Sequence, residues 1–147
     1  MTGSATLRPM TGADLPAVER LLESEGLPTV GVAEWLEQFV VAERDGRIEG
    51  VAGLEVHDGD GVLRSVAVAR ASRSRGLGAR LTSTALASAR RSGLRRVYLL
   101  TTTAVDYFPR HGFRRIDRAE ASPAVRASVE FREACPDSAV AMVLELE

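Results

Sequence analysis

The residue types best suited to chemistry cluster in one stretch, Val66-Ala67-Val68-Ala69-Arg70-Ala71-Ser72-Arg73-Ser74-Arg75-Gly76-Leu77-Gly78-Ala79. An apolar run passes through a basic turn into an amphipathic segment, with Gly76 and Gly78 two apart at the junction. Glycine lets the backbone approach a ligand closely and adopt conformations other residues avoid. Successive amides at such a corner, together with the positive end of a following helix, make a cradle for phosphate oxygens. Arg73 and Arg75 would add charge-assisted bonds that a pyrophosphate accepts. The plainer alternative is a tight strand-to-helix turn with solvated arginines. Two other phosphate loops fit poorly. A dinucleotide loop needs a third glycine where Leu81 stands and an acid near the position of Tyr98. A P-loop needs Gly-Lys-Ser/Thr, and the chain has no lysine.

The charge distribution agrees with a polyanionic ligand. Thirteen of the nineteen arginines fall within residues 64–118, beside only two acids, Asp106 and Asp117, whereas residues 1–63 hold twelve acids. Such an excess could attract nucleic acid, but these arginines are not interleaved with aromatic residues, so a small polyanion or a solvated basic face fits better. Two histidines and one cysteine support no zinc site. Cys135 cannot form an internal disulfide and reads as a buried thiol, with contact to a soft element such as arsenic as the sharper alternative. With no secretion signal and no long apolar stretch, the expected setting is a reducing cytoplasm, with no membrane partner.

The elements that must position these residues read as one α+β domain over 1–147. Leu7-Arg8-Pro9 suggests a first strand. Leu15, Val18, Leu21 and Leu22 mark an amphipathic helix that Gly26 stops, and a short helix is expected at Val32–Gln38. Phe39–Arg44, Val51–Val56 and Val62–Ala69 follow as antiparallel strands joined by turns at Asp45-Gly46 and Asp58-Gly59-Asp60-Gly61. Leu77, Leu81, Ala85 and Leu86 then recur at helical spacing up to Gly93. Val97–Leu100 reads as a buried strand, parallel to the one before the helix. A short helix over Ala104–His111, a strand at Phe113–Asp117, a helix from Pro123 to Arg132 and a strand at Ala139–Leu146 complete the order.

The pattern Arg73-Ser74-Arg75-Gly76-Leu77-Gly78-Ala79, between a strand and a helix, resembles the acetyl-CoA signature of the GNAT acetyltransferase superfamily. Ala104-x-x-Tyr107-Phe108-x-x-x-Gly112-Phe113 is similar to a second segment of that family. The resemblance implies a three-layer fold, a central mixed sheet of six to seven strands flanked by helices, using acetyl-CoA as co-substrate and no metal. It implies that Val66, Ala67 and Val68 hold the pantetheine through their backbone and that Arg73, Ser74, Arg75, Gly76, Leu77, Gly78 and Ala79 take the pyrophosphate. Thr101 stands where many relatives carry a cofactor-binding Asn. The family's usual tyrosine, which protonates the departing thiolate, falls at Phe108. That phenylalanine would line the pantetheine channel, leaving Tyr107 or water as the proton donor.

Leu63–Val68, Leu99–Ala104 and Glu130-Phe131 … Cys135-Pro136-x-Ser138-Ala139 resemble the arsenic-resistance (ArsN-type) acetyltransferases and the acetyltransferase domain of N-acetylglutamate synthases. These imply a small amine acceptor, an amino acid or amino-acid-like acid, under a lid helix at Pro123–Arg132. Arg64 and Arg126 are the candidates for its carboxylate, since guanidinium binds carboxylate bidentately. Ser138 is a further substrate candidate, although Pro136 replaces the arginine that glutamate synthases place two residues before the serine. The acceptor's ammonium must lose a proton, and a carboxylate of raised pKa is the usual device. Glu55, in an apolar strand, is the candidate, with His57 and His111 as alternatives. Acetylation of a protein or antibiotic amine, and a non-catalytic CoA sensor, are the competing readings. Dimers are common in the superfamily, so a homodimer is possible on that ground.

Overall fold

Seven strands form one mixed sheet, hydrogen-bonded in the order β1-β2-β3-β4-β5-β7-β6. The computed structural model describes residues 5–73, 76–134 and 138–146. The strands are β1 (Thr6–Pro9), β2 (Phe39–Arg44), β3 (Arg47–His57), β4 (Asp60–Val68), β5 (Arg96–Thr101), β6 (Arg114–Ile116) and β7 (Val140–Glu145). The helices are α1 (Leu15–Ser24), α2 (Leu77–Arg91) and the single turn α3 (Pro123–Arg126). Contacts cluster into two units, one running to Leu54 and resuming at Ser65–Ala85, the other comprising Glu55–Arg64 and the chain from Leu86.

In the first unit, β1, β2 and β3 pair antiparallel. Asp45 and Gly46 both have positive φ (54° and 76°), the geometry that a two-residue turn between right-twisted strands requires. Thr11 and Asp14 form a capping box ahead of α1. After Ser24 the chain turns at Gly26 (φ 71°), and the Leu27 N–H bonds the Leu22 carbonyl at 2.9 Å, closing the helix end. The face of α1 bearing Val18 and Leu22 is buried with Met10, Val32, Phe39, Val41, Val51 and Ala67. Leu77 and Leu81 bring the start of α2 down onto β3. A Cβ on Gly50 would stand 2.6 Å from Leu81 Cδ1, so that close approach needs glycine.

In the second unit, Asp58 and Gly59 (φ 53° and 82°) turn β3 into β4. Arg95 covers this turn, with one guanidinium nitrogen donating to the Asp58 carbonyl at 2.7 Å. β4 runs parallel to β5 only over Asp60–Val62, opposite Arg96–Tyr98. β7 pairs antiparallel with both β5 and β6. Val62, Tyr98, Ile116, Ala121, Val125, Phe131, Ala141 and Val143 form the core.

Three expected helices are corrected. Val32–Gln38 is a series of isolated turns ending in a 3₁₀ segment, Leu36–Gln38, because its backbone bonds join Val32 to Thr29, Trp35 to Gly31 and Gln38 to Trp35 without a continuous ladder. Ala104–His111 is helical only as 3₁₀ over Phe108–His111, ended by Gly112 at φ 96°. The helix expected over Pro123–Arg132 stops at Arg126. Ser128 Oγ donates to the Val125 carbonyl at 2.6 Å and accepts from the Phe131 N–H at 3.3 Å, so the serine ends one turn and starts the next. A π-helical turn, Glu130–Ala134, follows. Among the described residues no helix is long and apolar enough to cross a membrane.

Candidate functional site

β4 ends in the stretch expected to hold an amide-rich ligand. Ala67 is buried, and Val66 and Val68 are half-buried. Just before them, Ser65 has φ 59°, a left-handed conformation within a strand and therefore a local kink. Beyond β4, the Ala69 N–H bonds the Glu49 carbonyl at 2.9 Å, and Arg70–Ser72 form a 3₁₀ turn with Ser72 buried. The corner then opens to solvent. Gly76 is exposed with φ 74°, and a Cβ there would meet nothing within 4 Å. The Arg80 N–H bonds the Gly76 carbonyl at 3.1 Å, which makes Gly76 the cap of a 15-residue helix. The amides of Leu77, Gly78 and Ala79 then have no acceptor within the helix. Leu77 is buried, Gly78 half-buried and Ala79 exposed.

Arg73 is half exposed at this corner, and its guanidinium pairs with Glu25 at the end of α1; Arg70 Nε is 4.0 Å from the same carboxylate. Glu25 is a residue the sequence reading missed. Ser74 and Arg75 lie outside the described residues. In chemical terms the corner offers backbone donors, a helix N-terminus and a cation, the set that binds a phosphate group.

A second group of residues lies on the hairpin of β3 and β4. Glu55 Oε2 accepts from Arg64 at 2.8 Å, and neither side chain is accessible. Glu55 Oε1 is 2.7 Å from His57 Nε2. Glu130 Oε1, from the π-helical turn, is 3.9 Å from Arg64 Nε, and Glu130 is 5% exposed. Burial alone would push the Glu55 carboxyl up. The hydrogen bonds from His57 and Arg64 outweigh it and hold the group below its ordinary value. The expectation of a raised carboxyl at Glu55 is therefore corrected, since an ion-paired carboxylate is a weak proton acceptor. Arg64, expected as a substrate cation, is instead committed to Glu55.

The remaining candidates are dispersed over the second unit. Tyr107 Oη is 3.0 Å from His111 Nε2, with the two rings edge-to-face at 5.1 Å. Burial holds the His111 imidazole below its usual value. Phe108 is 7% exposed, its ring edge-on to Tyr107 and Phe113, which makes it part of the packing. Thr101 Oγ1 accepts from the Ala104 N–H at 3.0 Å and so shapes the turn after β5. Arg126 is exposed on α3, with Nε donating to the Ala121 carbonyl at 3.0 Å. Ser138 is exposed just before β7, and Cys135 and Pro136 lie outside the described residues. The sequence reading also missed Arg118, whose guanidinium reaches the carbonyls of Phe131 and Ala139 at 3.5 and 3.4 Å. Among the described residues no three His, Cys, Asp or Glu side chains group as metal ligands would.

Residues 35–115 match the acetyltransferase (GNAT) domain family. An amino-acid acetyltransferase of Mycobacterium tuberculosis (strain ATCC 25618 / H37Rv) is 34% identical over 146 residues, covering 91% of this chain and 80% of that protein. A structure from M. tuberculosis, solved in complex with CoA, superposes with a TM-score of 0.82 at 26% identity, covering 97% of this chain and 99% of that one. N-acetylglutamate synthase from Neisseria gonorrhoeae, complexed with coenzyme A and N-acetyl-glutamate, gives a TM-score of 0.84 at 22% identity over 99% of this chain, a likeness of fold. The chain spans 36% of that longer protein.

Proposed function

Because the chain belongs to the GNAT acetyltransferase family, we propose that it moves acetyl from acetyl-CoA to the amine of a small amino acid or amino-acid-like acid by direct attack. The observation that carries this reading is the corner at Gly76, where a left-handed glycine caps a long helix in open space beside Arg73. Backbone N–H groups of Leu77, Gly78 and Ala79 bind the pyrophosphate there, and Arg73 exchanges Glu25 for phosphate oxygens. The backbone of Val66–Val68 pairs with the pantetheine amides as an added strand would. The kink at Ser65 turns the strand just before these residues, where the thioester carbonyl would lie against a backbone N–H.

The acceptor's amine attacks that carbonyl. The carbon–sulfur bond breaks as the amide bond forms, and the sulfur leaves as a thiolate. With Glu55 held in an ion pair, the ammonium passes its proton to water before attack. Tyr107 or water protonates the thiolate, whose pKa of about 8.5 makes it an undemanding leaving group. Amino-acid acceptance is supported by the 34% identical M. tuberculosis amino-acid acetyltransferase.

The test is release of free thiol from acetyl-CoA across a panel of amino acids, with arsenic- and phosphorus-containing analogues included. Turnover should rise with pH as the acceptor's own ammonium ionises, without an inflection from an enzyme carboxylate. Coenzyme A binding with no turnover on any amine would reject the enzymatic reading and leave a CoA-sensing module.

A further inference from the structure

The ion pairs of Glu25 bear on how tightly the glycine corner holds its cofactor, an inference that rests on the diphosphate reading above. Glu25, Arg70 and Arg73 all lie in the first unit. The Ser72 N–H bonds the Ala69 carbonyl at 2.9 Å and the Arg73 N–H bonds the Arg70 carbonyl at 3.3 Å, closing a 3₁₀ turn after β4. Residues three apart on such a turn stand on the same side. Arg70 and Arg73 accordingly reach one carboxylate: Arg73 pairs with Glu25 Oε1, and Arg70 Nε is 4.0 Å from Oε2. Two guanidiniums converging on one oxyanion is also the arrangement that a phosphate group takes.

Glu25 stands at an electrostatically poor place. It ends α1, its N–H bonding the Leu21 and Leu22 carbonyls at 3.2 and 3.1 Å, and the last turn of that helix carries no basic residue. A helix C-terminus is the negative end of the dipole, so a carboxylate there is disfavoured. The cations that offset this come from the turn after β4, not from α1. The Glu25 side chain is 16% exposed, against 48% for Arg73 and 82% for Arg70. The carboxylate is therefore the fixed partner, and the guanidiniums have room to turn toward a ligand.

We infer that Glu25 is an internal anion that competes with the cofactor's diphosphate for Arg70 and Arg73, and so acts as a brake on cofactor retention. Binding exchanges ion pairs instead of adding them. Phosphate oxygens gain the arginines, while Glu25 is left beside the negative end of α1. The net gain is the difference between two ion pairs. Acetyl-CoA and the coenzyme A that remains after transfer carry the same diphosphate, so the exchange loosens substrate and product alike. Arg70, which precedes the glycine corner, joins the cofactor-binding residues by this argument.

Calorimetric titration of coenzyme A into the unmodified protein, Glu25→Gln, Arg73→Gln and the double variant tests the inference. Glu25→Gln should bind coenzyme A about two- to fivefold more tightly, the order of one exposed ion pair. Arg73→Gln should bind it more weakly, and adding Glu25→Gln to that variant should give a smaller gain, because both changes act on one interaction. A Glu25 that merely held the corner in shape would give the opposite sign, with weaker binding in Glu25→Gln. Weaker or unchanged binding in Glu25→Gln would overturn the inference, as would an equal gain in both backgrounds. If Glu25→Gln does not fold, Glu25→Ala takes its place with the same expected sign. Weaker binding in Arg73→Gln without tighter binding in Glu25→Gln leaves the diphosphate reading standing and overturns the inference alone. Unchanged binding in Arg73→Gln overturns the inference and removes Arg73 from the diphosphate site.

Discussion

The Glu55–Arg64 pair offers a test whose size follows from its burial. Neither side chain is accessible, and the bond between them is 2.8 Å. Removing one member of a buried pair leaves the other uncompensated and costs about 3–5 kcal/mol. Glu55→Gln keeps the shape and removes the charge. Glu130, 3.9 Å from Arg64, offsets part of the loss, so the low end, about 3 kcal/mol, is expected. At an unfolding entropy of about 2 cal/mol/K per residue, a chain of this length loses roughly 10 °C of Tm. Replacing the three buried charged residues together by apolar ones of similar volume, Glu55→Leu with Arg64→Met and Glu130→Leu, should restore most of it.

The pH dependence gives an independent check. Hydrogen bonds from His57 and Arg64 overcome the effect of burial and depress the Glu55 carboxyl in the folded state. Its contribution is therefore fully present above the unfolded value, 4.5, and is lost as pH falls through the lower folded value. Urea unfolding followed by Trp35 fluorescence, at pH 7 and again below pH 4, should show the cost of Glu55→Gln shrinking in acid. A cost under about 1 kcal/mol at pH 7, or one that does not change with pH, would refute the reasoning.

Two further outcomes are expected. Ser65→Val should lower stability by about 1–2 kcal/mol, because a β-branched side chain is strained at φ 59°, whereas Ser65→Gly should not share that loss; chemical denaturation distinguishes them. Burial depresses the His111 imidazole in the folded state, so its contribution is present above 6.5 and is lost as pH falls below that value; His111→Gln should flatten the stability profile between pH 7 and pH 5.

Local signals carried much of the fold. Asp45-Gly46 and Asp58-Gly59 were readable as turns because two consecutive positive φ angles favour these residue types. Leu15, Val18, Leu21, Leu22 and Gly26 marked α1 because one apolar stripe and one left-handed stop suffice to delimit a helix. The break after Arg126 was not readable, since it depends on a bifurcated role of the Ser128 hydroxyl that periodicity does not encode. The insertion of β7 between β5 and β6 is likewise a long-range pairing with no local signal. At the site, the left-handed glycine at the start of α2 was legible because glycine at a strand-to-helix corner is a local signal, whereas the raised carboxyl expected at Glu55 was not what its partners allow. An acid in an apolar strand looks like a raised carboxyl until its partners are known, and Arg64 and Glu130 come from nine and seventy-five residues away. Glu130-Phe131 had entered the family resemblance, but nothing in the sequence placed Glu130 beside Arg64.

The central claim is that the corner from Arg73 to Ala79 grips the diphosphate of acetyl-CoA. Calorimetric titration of acetyl-CoA into the unmodified protein and into Gly76→Ala with Gly78→Ala tests it most directly. At Gly76 a Cβ meets nothing, so the folding cost of that change is limited to the left-handed backbone, about 1–2 kcal/mol. Saturable binding that weakens by about tenfold or more in a variant that remains folded would meet the expectation. Equal affinity in the two proteins would contradict it.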